Sequence, residues 1–77
     1  MTLNIKYFGV IAEITQCHEE VLEFSKSSVD DLLTMLFDKY PEIKINDFQV
    51  AMNNEIVSKD SIISESEIAL LPPFSGG

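Results

Sequence analysis

A chain of 77 residues makes one domain, and a domain of that size buries only about 60% of the surface its unfolded chain exposes, which leaves little room for both a core and a deep catalytic pocket. Thirteen Asp and Glu stand against five Lys, with no Arg, for a net charge of −8; this argues against nucleic acid, which calls for basic patches and Arg forks, and is equally compatible with steering a basic protein partner and with keeping a small domain in solution. The single Cys can form no internal disulfide, and no apolar stretch near Met1 has the length of a signal peptide or membrane span, so a cytoplasmic chain without membrane attachment is expected.

Leu3, Ile5 and Tyr7 alternate with Asn4 and Lys6, the period-two pattern of a half-buried strand running to Phe8. Gly9 breaks it, and Val10 to Ile14 carries apolar residues at helical spacing over a turn or two. Val21 to Phe24 reads as a second strand, with Leu22 and Phe24 on one side and Glu23 on the other; the two strands suit a hairpin-like pair. A helix follows, because Val29, Leu32, Leu33, Leu36, Phe37 and Tyr40 form one apolar stripe at i, i+3, i+4, i+7, i+8 and i+11. Ser28 suits its N-cap, Asp30 and Asp31 sit where the helix dipole favours anions, and Lys39 followed by Pro41 closes it.

Phe48, Val50 and Met52 alternate again, Asn53-Asn54 tolerates the left-handed conformation of a tight turn, and Ile56-Val57 returns as a short strand. Lys59 to Ser66 is a polar connection interrupted by Ile62-Ile63, and Ile68 to Leu71 is the last strand. Strands and one helix must bury their apolar faces on each other. The expected architecture is α+β: a mixed sheet of about four to five strands with one main helix across one face, resembling the β-grasp (ubiquitin-like) fold.

Residues 1–71 make the body, and residues 72–77 read as an extended tail, Pro72-Pro73-Phe74-Ser75-Gly76-Gly77. The prolines fix φ and favour polyproline geometry, a semi-rigid spacer. Gly76 and Gly77, lacking Cβ, can pass a narrow channel and let a reagent approach the terminal carboxylate closely. At roughly 3.3 Å per residue the tail reaches about 20 Å, enough to enter another protein's active site.

Elsewhere the chemistry is sparse. Cys17 and His18 are adjacent, but neighbours in a strand point to opposite faces, and one His with one Cys cannot close a zinc site. Glu19, Glu20 and Glu23 read as solvated surface. No glycine loop suits a phosphate, since Gly9 is the only internal glycine. The chain therefore reads as non-catalytic, binding no cofactor and no metal, with its chemistry at the Gly77 carboxylate. A carboxylate is a poor electrophile at neutral pH, so a partner must activate it, most simply by adenylation with ATP.

The Tyr7-Phe8-Gly9 strand end, Ser28-Val29-Asp30-Asp31-Leu32-Leu33, Val50-Ala51-Met52-Asn53 and above all Glu67 to Gly77 resemble the small subunits of molybdopterin synthase, the MoaD family of ubiquitin-like sulfur carriers. The resemblance spans essentially the whole chain. It departs at Ala12-Glu13, where the family often has Arg-Glu, and at Ser64-Glu65-Ser66, where it has Asp-Gly-Asp. It implies that an ATP-dependent activating enzyme adenylates Gly77 and that a sulfur donor protein converts it to a thiocarboxylate. The large synthase subunit then receives the tail and places sulfur on cyclic pyranopterin monophosphate. By position Phe8, Ile56, Leu71, Pro72, Pro73, Phe74 and Ser75 match partner-binding residues of the family, while Ile56 and Leu71 are equally compatible with core packing.

Three other readings stand beside it. One is a sulfur carrier for the thiazole of thiamin, or for another sulfur-transfer pathway, with the same fold. Another is an acyl carrier protein, from the small acidic composition and Asp60-Ser61-Ile62, which would require a helical bundle. The third is a ubiquitin-like modifier joined to lysines through Gly77.

Overall fold

The computed structural model describes residues 2–25 and 27–73. Five strands, β1 (Thr2–Tyr7), β2 (Glu19–Glu23), β3 (Gln49–Met52), β4 (Glu55–Val57) and β5 (Glu67–Leu71), form one sheet in the order β2-β1-β5-β3-β4. β1 and β5 run parallel at its centre and the other pairs are antiparallel. This is the mixed β-grasp sheet expected.

Helix α1 (Val10–Thr15) lies in the connection from β1 to β2, so that pair is antiparallel without being a tight hairpin. Asn53 and Asn54 take φ of 55° and 64° in the β3–β4 turn, the left-handed geometry that the Asn pair tolerates.

Helix α2 (Val29–Lys39) is the main helix, and its ends follow from its sequence. Ser28 Oγ accepts the Asp31 N–H at 3.2 Å while the Asp31 carboxylate accepts the Ser28 N–H at 3.3 Å, a reciprocal cap that satisfies donors left over at a helix start. Its apolar stripe is core: Val29, Leu32, Leu33 and Leu36 are buried against Leu3, Ile5 and Tyr7 of β1 and Ile68 and Leu70 of β5. Because side chains alternate along a strand, that packing commits one sheet face to α2. The other face stays open.

Two features differ from the sequence reading, while Lys59 to Ser66 is the connection expected. Pro41–Ile45 forms a 3₁₀ helix that buries Ile43 completely, since Pro41 at its start needs no N–H partner and serves as an initiator as well as a stop. Cys17 and His18 sit in the bend before β2, not within a strand, so strand alternation does not govern them. Ser61 lies in the β4–β5 connection, where its carbonyl accepts the Val29 N–H at 2.9 Å. No helix begins there, and the five-stranded sheet overturns the acyl carrier reading.

The acidic run on β2 is also more than solvated surface. Glu20 Oε1 accepts the Tyr7 hydroxyl at 2.7 Å and the Tyr40 hydroxyl at 3.0 Å, and Oε2 pairs with Lys39. Burial pushes the Glu20 carboxyl upward, but hydrogen bonds from Lys39, Tyr7 and Tyr40 together outweigh it and hold the group below the ordinary carboxylate range. Burial, reinforced by the bond to Glu20, raises the Tyr7 phenol. The cluster ties edge strand β2 to the end of α2.

Glu20→Ala leaves the Tyr7 hydroxyl without its acceptor and is expected to cost about 1–3 kcal/mol. Thermal unfolding should show a Tm lower by several degrees, given about 4–8 °C per kcal/mol at this size. A group whose carboxyl is depressed on folding stabilises above its unfolded pKa and loses that contribution as pH falls through the folded value. The stability of the unaltered chain should therefore fall below the carboxyl's ordinary value of 4.5. Glu20→Gln, titrated in parallel, should fall less steeply; equal slopes would remove Glu20 from the acid response.

Candidate functional site

The open sheet face is assembled by register. Ile56 of β4 lies opposite Ala51 of β3, Ala51 opposite Ala69 of β5, and Ala69 opposite Lys6 of β1. One row further, Leu71 pairs with Gln49, and Phe8 follows Tyr7, the partner of Leu70. The Phe8 N–H donates to the Leu70 carbonyl at 3.1 Å, continuing the ladder one residue past β1.

Phe8, Ala51, Ile56, Ala69 and Leu71 thereby line one shallow hollow of about 340 Å³, bordered by Lys6, Glu67, Asn53 and Asn54. Small Ala side chains make its floor, and large apolar ones its walls. Phe8 is 44% and Ile56 56% exposed, and neither they nor Leu71 belongs to the core cluster. Core packing is thus not what Ile56 and Leu71 do. The polar border is anchored by the Lys6–Glu67 ion pair at 3.5 Å, which leaves the apolar centre uncharged.

β5 leads out of this face directly into Pro72 and Pro73, the first exposed and the second half-buried. Phe74, Ser75, Gly76 and Gly77 lie outside the described residues. The arrangement thus brings together Phe8, Ile56 and Leu71 of the sequence-derived site and joins them to Pro72 and Pro73 through β5. Ala51, Ala69, Lys6 and Glu67 are not assigned to the site by the sequence. Their only signal is the period-two alternation that marks the face opposite the core, and the pairing of β1 with β5 that unites them is invisible in any local window.

Among the described residues neither His nor Cys lines this hollow. Among the described residues no three His, Cys, Asp or Glu side chains gather where they could hold a metal ion. Cys17 is a half-buried free thiol whose carbonyl accepts the Thr15 hydroxyl at 3.1 Å. A larger hollow of about 550 Å³ lies between α2 and the β3–β4 edge, floored by Val29, Leu33, Phe37, Phe48 and Val57 and bordered by Lys44 and Lys59. It is lined by neither His nor Cys. An exposed apolar patch with a polar border, beside a strand that feeds a narrow tail, has the chemistry of a docking surface.

Comparison with known proteins agrees with this geometry. A curated relative, the molybdopterin synthase sulfur carrier subunit of Chlamydomonas reinhardtii, is 26% identical over the whole of both chains. Among solved structures, a protein of Pyrococcus furiosus described as molybdopterin converting factor subunit 1 superposes with a TM-score of 0.86 at 21% identity, over 96% of this chain and 99% of that one. Small archaeal modifier protein 1 of Methanosarcina acetivorans gives 0.77 at 25% identity, over 99% and 96%. A complex of subunits 1 and 2 of molybdopterin-converting factor from Helicobacter pylori gives 0.71 at 19% identity, over the whole of both chains. At the lower identities the likeness is one of fold. The ThiS family model matches residues 5–77, and the chain belongs to that family.

Proposed function

We propose that this chain is the sulfur carrier subunit of a molybdopterin synthase, with Gly77 as the atom-bearing end. What carries the reading is the junction of two features: an exposed apolar hollow formed by Phe8, Ile56 and Leu71, and β5 running from that hollow into Pro72 and Pro73. A carrier needs a surface for its partner to hold and an end for the partner to work on. Family membership and the name of the Chlamydomonas reinhardtii relative support sulfur as the cargo.

In the proposed cycle an activating enzyme directs a Gly77 carboxylate oxygen onto the α-phosphorus of ATP, releasing pyrophosphate and leaving an acyl adenylate. A sulfide-level sulfur from the donor protein then attacks the acyl carbon, AMP leaves, and a thiocarboxylate remains. The large synthase subunit grips the open face, takes the tail into its own active site, and transfers sulfur to cyclic pyranopterin monophosphate. The Helicobacter pylori complex of two subunits supports such a pairing. Two deliveries supply the two dithiolene sulfurs, and in each water cleaves the acyl–sulfur bond, so that the sulfur stays on the pterin and Gly77 returns to a carboxylate. Catalytic groups and ATP belong to the partners; this chain contributes the acyl group and the address.

Affinity capture of the native partner tests the assignment. Recovery of a pterin-binding synthase subunit is the expected result, and recovery of a thiazole synthase in its place would move the chain to thiamin synthesis. The likeness to small archaeal modifier protein 1 favours a second reading, attachment of Gly77 to lysines of other proteins. Isopeptide-linked Gly77 peptides in digests of whole cells would establish that role.

A further inference from the structure

We propose that Gly9 is a positioning residue for the tail: its bare Cα is the seat on which the Pro72 ring rests, and that contact sets the direction in which the chain leaves β5. The proposal rests on the carrier reading above, since direction matters only if the tail has somewhere to go.

Parallel pairing brings the ends of β1 and β5 to the same edge of the sheet. The Phe8 N–H to Leu70 carbonyl bond is the last rung between them. Beyond it the two chains part, β1 turning into α1 at Gly9, whose carbonyl accepts the Ala12 N–H at 3.1 Å. Gly9 has φ 59° and ψ −138°, a conformation that residues bearing Cβ rarely adopt.

A Cβ on Gly9 would lie 2.9 Å from Pro72 Cγ, inside the roughly 3.5–4.0 Å at which carbon atoms pack. A long side chain would swing aside. A proline ring has only its pucker to give, because it is closed onto its own backbone nitrogen and locks φ, so any larger displacement of the ring displaces the main chain. Pro72 is exposed, hence its contact with Gly9 adds little to the core and acts mainly on geometry. A misplacement of about 1 Å at a reacting centre can cost about a hundredfold in rate.

The experiment measures Gly77 thiocarboxylation by the activating enzyme, ATP and sulfur donor, resolving kcat from KM and recording Tm, for the unaltered chain, Pro72→Ala, Gly9→Ala and the double variant. The unaltered chain should load; if it does not, the carrier reading fails and this proposal with it. Given loading, Pro72→Ala should lower kcat several-fold at unchanged Tm, because an unseated tail samples the productive direction less often. Gly9→Ala should lower Tm through backbone strain and lower kcat about tenfold or more, with KM for the activating enzyme nearly unchanged.

Adding Pro72→Ala to Gly9→Ala removes the ring that collides. It should restore kcat to the Pro72→Ala level while Tm stays low. A purely structural Gly9 predicts that kcat follows Tm and that the double variant recovers nothing, and this outcome would overturn the proposal. Should Gly9→Ala fail to fold, Pro72→Ala decides alone: kcat equal to that of the unaltered chain refutes the seat.

Discussion

Deletion of Gly77 is expected to abolish sulfur loading while leaving Tm within a degree or two of the full chain. The two halves of that expectation have separate causes. Loading is lost because the chain then ends at Gly76: the new terminal carboxylate stops about 3.3 Å short of the site where adenylation occurs, and reactions of this kind tolerate little misplacement. Stability is kept because the buried apolar residues among those described run from Leu3 to Leu70, all within the sheet, α1, α2 and the segments joining them. Circular dichroism melts and intact mass after incubation with the activating enzyme read both quantities on one sample. A truncated chain that still gains sulfur would place the acceptor elsewhere, and a large drop in Tm would give the tail a structural role.

The second large effect concerns the open face. Ile56→Asp introduces a carboxylate at the wall of the hollow beside Phe8 and Leu71, where a partner's apolar surface would have to bury it unpaired. Central apolar anchors of an interface cost about 2 kcal/mol or more on truncation, so affinity for the large synthase subunit should fall by about thirtyfold or more. The domain itself should be indifferent, since Ile56 is 56% exposed and outside the core cluster. Titration calorimetry against the large subunit measures the first and thermal unfolding the second. Unchanged affinity would move the docking surface off this face and away from the hollow between α2 and the β3–β4 edge, which Ile56 also lines.

Ile56 and Leu71 also illustrate what a single sequence can and cannot supply. Their apolar character was evident, but whether they faced the core depended on strand register, and register is a long-range property set by pairings such as Ala51 with Ala69. Local signals fared better. The stripe from Val29 to Tyr40 and the Ser28 cap placed α2 nearly to the residue, because helix periodicity and capping are decided within a few positions. The alternation in β1 and the Asn53-Asn54 turn were equally local.

Glu20 was the opposite case. Nothing near it in sequence announces that Tyr7, Tyr40 and Lys39 converge on its carboxylate, so an acidic run naturally read as solvated. The 3₁₀ segment Pro41–Ile45 is hidden in the sequence for a related reason: Pro41 is legible as the end of α2, whereas its second role depends on Ile43 filling the core. In sequence Gly9 is legible only as a strand breaker, whereas its contact with Pro72 joins positions at opposite ends of the chain.

A sulfur carrier must accept sulfur on its final glycine. Intact-protein mass spectrometry of the full chain, after incubation with its activating enzyme, ATP and a sulfur donor, tests this most directly. A mass increase equal to one sulfur replacing one oxygen, localised to Gly77 by fragmentation and dependent on ATP, is the predicted result. An unchanged mass under conditions in which the same enzyme consumes ATP and charges a known carrier would contradict it.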